Sequence, residues 1–208
     1  MKAFIMAVIA AMSIATSFAQ EPQSDSCKQS GLNFITKQEY ERMARFRREY
    51  PFLPSKDVEV IIIGGSLVLK TDSGNKKLEG DFYEGEYLGF YTYVGYISVS
   101  EMYVCEDHQL HYQDVLLVNR KNGDITRLYA FAFFDEYGTR VITYDLNREG
   151  ISGGVIKVYD YINGKYTCVK EIRDESWYPA GVYFYNDKVI GKIEYFDNDR
   201  VDYFWISV

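Results

Sequence analysis

The Asn163-Gly164 dipeptide, set between two apolar runs, limits this chain more than any other feature. Asn-Gly takes the positive φ angles of a type I′ turn at little cost, so the flanking segments are driven into an antiparallel hairpin. Those flanks, Val155 to Tyr159 and Tyr166 to Ile172, are rich in β-branched and aromatic residues. Upstream lie a further apolar run, Arg140 to Tyr144, a turn at Asp135-Glu136-Tyr137-Gly138, and Phe131 to Phe134. The stretch from Phe131 to Ile172 therefore predicts four strands, with a Gly-rich loop from Asn147 to Gly154 between the second and third.

The hairpin recurs. Asn122-Gly123 lies 41 residues before Asn163-Gly164 and has similar flanks, Leu116 to Asn119 and Asp124 to Leu128. A third copy, Ile193 to Val201, follows about 35 residues later, and the Asp72-Ser73-Gly74-Asn75 turn precedes the series by about 48. Tyr87 to Tyr103, with Gly89 and Gly95, reads as two strands with a bulge or bend at one glycine. Val58 to Ile63 reads as a buried strand stopped by Gly64-Gly65. Twenty Tyr and thirteen Phe suit pleated, half-buried surfaces and reinforce an all-β assignment.

The N-terminal part differs. Residues 1–19 have the pattern of a secretory signal peptide: Lys2, an apolar run from Phe4 to Ile14, and a small-x-small end at Ser17-Phe18-Ala19. Cleavage is expected before Gln20, and no later run of about twenty apolar residues predicts a membrane span. Residues 20–35 are polar and read as a flexible arm leading into a single β-rich domain over 36–208. Thr36 and Glu39 form a capping box, followed by Tyr40, Met43, Phe46 and Tyr50 at helical spacing, so a short helix is predicted over 37–49. Arg42, Arg45 and Arg48 on its outer face read as a solvated surface.

The formal net charge is −7, or −8 without Lys2, and there is no Lys/Arg block. That balance argues against nucleic acid and anionic membranes as partners. Three cysteines, Cys27, Cys105 and Cys168, allow one intramolecular disulfide in an oxidising compartment, with three possible pairings. Tying down the N-terminal arm favours Cys27 with Cys105. The spacing matches no zinc framework, and no cofactor is implied.

Four constellations bear on chemistry. Gly150-Ile151-Ser152-Gly153-Gly154 fits a nucleophile-elbow pattern, but a strand rather than a helix follows it and both histidines lie upstream. His108 and His111 are candidate metal ligands, yet in a β-rich connection residues three apart point to opposite faces. Asp197, Asn198, Asp199 and Asp202 lack the Gly and Glu of a calcium loop and read as an Asx-rich turn. The paired aromatics Tyr91/Tyr93, Tyr159/Tyr161, Tyr183/Tyr185 and Tyr203/Trp205 read first as packing ladders. Trp177-Tyr178-Pro179, placed in a connecting loop, together with Tyr183 and Tyr185, forms the candidate binding platform.

The segment Phe134-Asp135-Glu136-Tyr137-Gly138-Thr139-Arg140-Val141-Ile142, with Ile156-Lys157-Val158-Tyr159-Asp160 and Asn163-Gly164, resembles β-propeller blades of the TolB/WD40-like kind. The Ser-Pro and Trp-Asp signatures of those blades are absent. The resemblance implies a propeller-like stack of three to four antiparallel hairpin or blade units, preceded by one short helix, and a binding scaffold rather than a given chemistry. The expected function is non-catalytic binding of a protein or polysaccharide of the cell envelope, in the periplasm or outside the cell. Two other classes stay open: an inhibitor or immunity-type protein that blocks an envelope-acting enzyme, and a hydrolase with a carboxylate site.

Overall fold

A computed structural model describes residues 28–29, 31–45, 60–63, 66–83, 86–109, 113–128, 131–145 and 153–208. The expected signal peptide lies outside the described residues. The chain opens with two short strands, β1 (Lys28–Gln29) and β2 (Asn33–Ile35), then the helix α1 (Lys37–Ala44). The first sheet holds β3 (Val60–Ile63), β4 (Ser66–Thr71) and β5 (Gly74–Leu78). The second holds β6 (Asp81–Tyr83), β7 (Glu86–Ile97), β8 (Met102–Gln109), β9 (Gln113–Asn119) and β10 (Ile125–Leu128). The third is β11 (Phe131–Phe134), β12 (Arg140–Asp145), β13 (Gly154–Ile162) and β14 (Lys165–Asp174), with β1 added beside β14. The fourth is β15 (Trp177–Tyr185), β16 (Lys188–Tyr195) and β17 (Val201–Ser207), with β2 added beside β17. The protein is thus predominantly β, with one short helix and four sheets whose consecutive strands pair antiparallel.

Local chemistry explains the turns. Asn163 (φ 52°) and Gly164 (φ 85°) both occupy the left-handed region, as a type I′ turn requires, and join β13 to β14. In β7 the register against β8 shifts between Tyr93 and Gly95, which is the bulge anticipated at a glycine. Thr36 caps α1: its Oγ1 accepts from the Glu39 amide at 3.2 Å, and Glu39 Oε2 accepts from the Thr36 amide at 2.9 Å. The described helix ends at Ala44, with Arg45 as its cap, and residues 46–49 of the predicted span lie outside the described residues.

The segment expected as a flexible arm is corrected where it is described. Lys28 and Gln29 pair parallel with Lys170 and Glu171 of β14, and Asn33–Ile35 pairs antiparallel with Tyr203–Trp205 of β17. A polar composition conceals such pairing because an edge strand is held by its backbone, not by apolar side chains.

Successive sheets stack through three apolar layers. Leu67 and Leu69 of the first sheet pack with Tyr103, Leu116 and Val118 of the second. Val104, Leu117 and Leu128 of the second pack with Phe134, Val141 and Tyr166 of the third. Ile142, Ile156 and Val158 of the third pack with Trp177, Val189, Ile193 and Phe204 of the fourth. Among the described residues no such layer joins the first sheet to the fourth. The second layer also carries a polar tie. Tyr166 donates to the Gly138 carbonyl at 2.5 Å and lies 3.1 Å from Ser100 Oγ, while Tyr161 donates to the Ser100 carbonyl at 3.2 Å.

Gly138 sits at φ 70°, and a Cβ there would lie 2.3 Å from Cγ2 of Ile97. Gly138→Ala is expected to cost about 1–3 kcal/mol from backbone strain, with the clash added. Gly164→Ala also sits at positive φ but meets nothing within 4 Å, so it serves as the control. Thermal melting should rank Gly138→Ala clearly below Gly164→Ala; equal losses would remove the inter-sheet contact from this account.

Candidate functional site

The candidate platform residues all fall in β15 of the fourth sheet, and a bulge there decides where each one points. Trp177 and Pro179 face the third sheet. The register against β16 then shifts between Pro179 and Gly181, after which Val182 and Phe184 face that core instead. One extra residue flips the parity of a strand. Trp177 and the tyrosines at 183 and 185 therefore lie on opposite faces, although the sequence places them at matching alternate positions.

Trp177 is a core residue. It opens β15 rather than sitting in a connecting loop, is 3% exposed, and belongs to the layer between the third and fourth sheets. A Cβ on Gly154 would come within 2.6 Å of its ring, so the missing side chain makes room for the indole. This corrects its expected role as a binding anchor. Trp177→Ala is expected to cost about 3–5 kcal/mol and to lower the melting temperature sharply; a variant that melts like the parent would contradict its burial.

The outward face of the fourth sheet collects the remaining candidates. Tyr178 opposes Glu194 and donates to its Oε2 at 2.7 Å, while Lys192 Nζ holds Oε1 at 3.1 Å. The Tyr178 and Lys192 hydrogen bonds hold the Glu194 carboxyl below its usual range. Tyr183 shares a row with Ile190, Trp205 and Asn33, and Tyr185 opposes Lys188. Lys188 Nζ sits 4.1 Å from the Trp205 ring centroid. Tyr203, in the neighbouring row, meets Tyr40 of α1 at 4.9 Å. The helix packs across β15, β16 and β17. Tyr178, Tyr183, Tyr185, Tyr203 and Trp205 are all half-buried, while Lys188 is exposed. The Tyr183 ring also meets Phe133 of β11 edge-on at 5.7 Å, where the third and fourth sheets adjoin.

His108 lies in β8, not in a connecting loop, and His111 lies outside the described residues. Its Nε2 is 3.1 Å from Glu106 Oε2 and 3.0 Å from Thr92 Oγ1, and Phe90 stacks on the ring at 4.6 Å. Both polar partners address the same nitrogen. A nucleophile–base–carboxylate relay needs the hydroxyl and the carboxylate on different ring nitrogens, so this cluster is a cross-strand polar contact. Near the other end of the molecule, Asp202 is taken by Arg200 and by the Tyr195 hydroxyl, as in a closed Asx-rich turn. The Gly150-to-Ser152 part of the elbow pattern lies outside the described residues, and β13 follows it directly.

A carboxylate pair escaped the sequence reading. Asp107 and Asp114 oppose each other across β8 and β9, 1% and 4% exposed. Arg127 Nη1 bridges them at 2.7 and 2.8 Å, and Gln109 donates to Asp107 at 2.6 Å. Two like charges facing each other in a sheet are tolerated only with a shared cation, and Arg127 supplies it. Only the run of acidic, amide and basic residues in otherwise apolar strands hinted at this, since the pairing depends on register.

The cysteines also require a correction. Cys168 is disulfide-bonded, whereas Cys105 is a free thiol, 0% exposed in the first apolar layer, so Cys27 and Cys105 are not the pair. Cys27 lies outside the described residues. Burial pushes the Cys105 thiol from its ordinary 9.0 up to about 12, and does the same to the Tyr166 and Tyr93 hydroxyls from 10.0. Such a thiol stays protonated and is a poor nucleophile. The native state holds these protons more tightly than the unfolded chain, so the stability they contribute is full below pH 9 and is lost as pH rises towards 12. Melting temperature is expected to fall from about pH 9 in the parent and from about pH 10 in Cys105→Ala; an unchanged onset would contradict the burial of the thiol.

No protein-family model matches the chain, and neither does any curated protein or solved structure.

Proposed function

We propose that this protein is a non-catalytic binding protein of the periplasm or the extracellular space. Its four sheets form a propeller-like stack, and it takes a protein or polysaccharide partner of the cell envelope. One observation carries this reading. The bulge in β15 brings Tyr178, Tyr183 and Tyr185 onto the same outward face as Tyr203 and Trp205, beside Lys188. Aromatic rings at half exposure give a large contact area for little lost side-chain entropy, which is why Trp and Tyr dominate recognition hot spots. A sheet packed firmly on one face also holds those rings at fixed spacing on the other.

The test uses the protein without its first 19 residues, immobilised and exposed to envelope extract and to a panel of envelope polysaccharides. Tyr185→Ala and Trp205→Ala are expected to weaken capture by about 2 kcal/mol or more, with the melting temperature largely kept. Capture that survives both substitutions moves the partner to another surface. Recovery in the cytoplasm with residues 1–19 intact would overturn the assigned compartment.

A further inference from the structure

One end of the outward face of the fourth sheet carries a compact set of groups that packing does not use up. Tyr178 of β15 stands directly opposite Glu194 of β16, and Lys192 lies two residues before Glu194 on the same side of the strand. Tyr178 donates to Glu194 Oε2 at 2.7 Å, and Lys192 Nζ donates to Oε1 at 3.1 Å. Phe196, just past β16, sets its ring 5.3 Å from that of Tyr178 and is 46% exposed. Neither ring belongs to one of the three apolar layers.

These polar groups are held in place but not saturated. A carboxylate has about four acceptor positions, and Glu194 uses two of them. The Lys192 ammonium spends only one of its donors on Glu194. The same two bonds hold the Glu194 carboxyl below its usual range, so it is ionised at neutral pH. A fixed acceptor beside a fixed donor suits two adjacent hydroxyls of a sugar ring: one donates to the carboxylate, and the oxygen of the other accepts from the ammonium. The apolar C–H face of that sugar can then lie against Phe196. A protein partner fits less well, because its hot spots need a dry apolar centre, and drying this ion pair carries a desolvation cost. A sugar instead replaces the lost water with its own hydroxyls. Glu194 and Lys192 also cancel in charge, which leaves a strongly charged partner nothing to pair with here.

We infer that Tyr178, Glu194 and Lys192, walled by Phe196, form a subsite for a sugar ring with two adjacent free hydroxyls. The inference rests on the aromatic-platform reading above and deepens it, selecting a polysaccharide over a protein as the partner.

Purified protein, immobilised and exposed to envelope extract, tests this. The extract is used untreated, digested with proteinase K, or oxidised with periodate, which cleaves the bond between carbons bearing adjacent hydroxyls. Bound sugar is measured by monosaccharide analysis after acid hydrolysis, and bound protein on gels. Sugar capture is expected to survive proteinase K and to be lost after periodate. Glu194→Gln and Phe196→Ala should each lower it about tenfold or more, the scale of a lost charged hydrogen bond or aromatic contact, with melting largely kept. Capture that proteinase K abolishes and periodate spares, still weakened by Tyr185→Ala and Trp205→Ala, makes the partner a protein; the inference falls and the platform stands. Sugar capture weakened by those two substitutions but not by Glu194→Gln or Phe196→Ala likewise removes only the subsite. Capture that none of the four substitutions changes removes the platform and the subsite together. Absence of bound sugar from untreated extract overturns the inference outright.

Discussion

Burial of both faces of the two middle sheets is the constraint on which the rest of the structure depends. Val141 and Ile142 are neighbours in β12 and both are fully buried, yet they enter different apolar layers. Leu116 and Leu117 of β9 divide in the same way. Each such side chain contributes about 1.5–3 kcal/mol by leaving water. A strand buried on both faces cannot alternate apolar with charged residues, and residues 102–105 of β8, 115–118 of β9 and 141–144 of β12 accordingly form unbroken buried runs that carry no charge. The outer sheets meet a different condition. The first leaves Ile61, Ile62 and Ile63 of β3 more than half exposed, while the fourth carries α1 across its outward face.

Apolar layers alone would let stacked sheets slide, because burial is not directional. Position is fixed by the polar groups placed between them. Tyr166 reaches from β14 to the Gly138 carbonyl and to Ser100 at the tip of the β7–β8 turn, so two sheets share one buried hydroxyl. Tyr103 likewise donates to the Lys70 carbonyl in the first sheet. Each bond adds only about 1 kcal/mol net, but leaving such a group unpaired costs up to about 3, which penalises every misaligned stacking. Arg127 performs a related task within the second sheet, where the facing carboxylates of Asp107 and Asp114 are acceptable only in the register that presents both to it.

Local chemistry was legible in the sequence, and long-range pairing was not. Asn163-Gly164, the Thr36–Glu39 capping box and the bulge beside Gly95 all act within a few residues, so residue identity is enough to predict them. The two N-terminal strands were hidden, because their partners lie more than a hundred residues away and the strands are chosen by backbone geometry. Trp177 misled through its neighbours: polar residues precede it and Pro179 follows, a pattern normally read as a loop. The clue was Gly154, whose missing side chain accommodates the indole, and that relation exists only after β13 and β15 are brought together.

The candidate surface shows how a small irregularity can separate packing from recognition in one strand. Without the shift between Pro179 and Gly181, the parity that sends Trp177 into the core would send Tyr183 and Tyr185 there as well. The space is not available, since Val182, Val189 and Phe204 fill that layer with essentially no exposure. With the bulge, the core receives Val182 and Phe184, and the tyrosines turn outward to join Trp205 and Tyr203. A glycine in mid-strand permits that shift and a proline just before it leaves one ladder donor absent, so Pro179-Ala180-Gly181 supplies the local conditions for a bulge. The aromatic content that argues for a sheet structure is in this way divided between two uses. Rings on the inward faces hold the stack together, and rings that the bulge turns outward line the opposite face of the sheet.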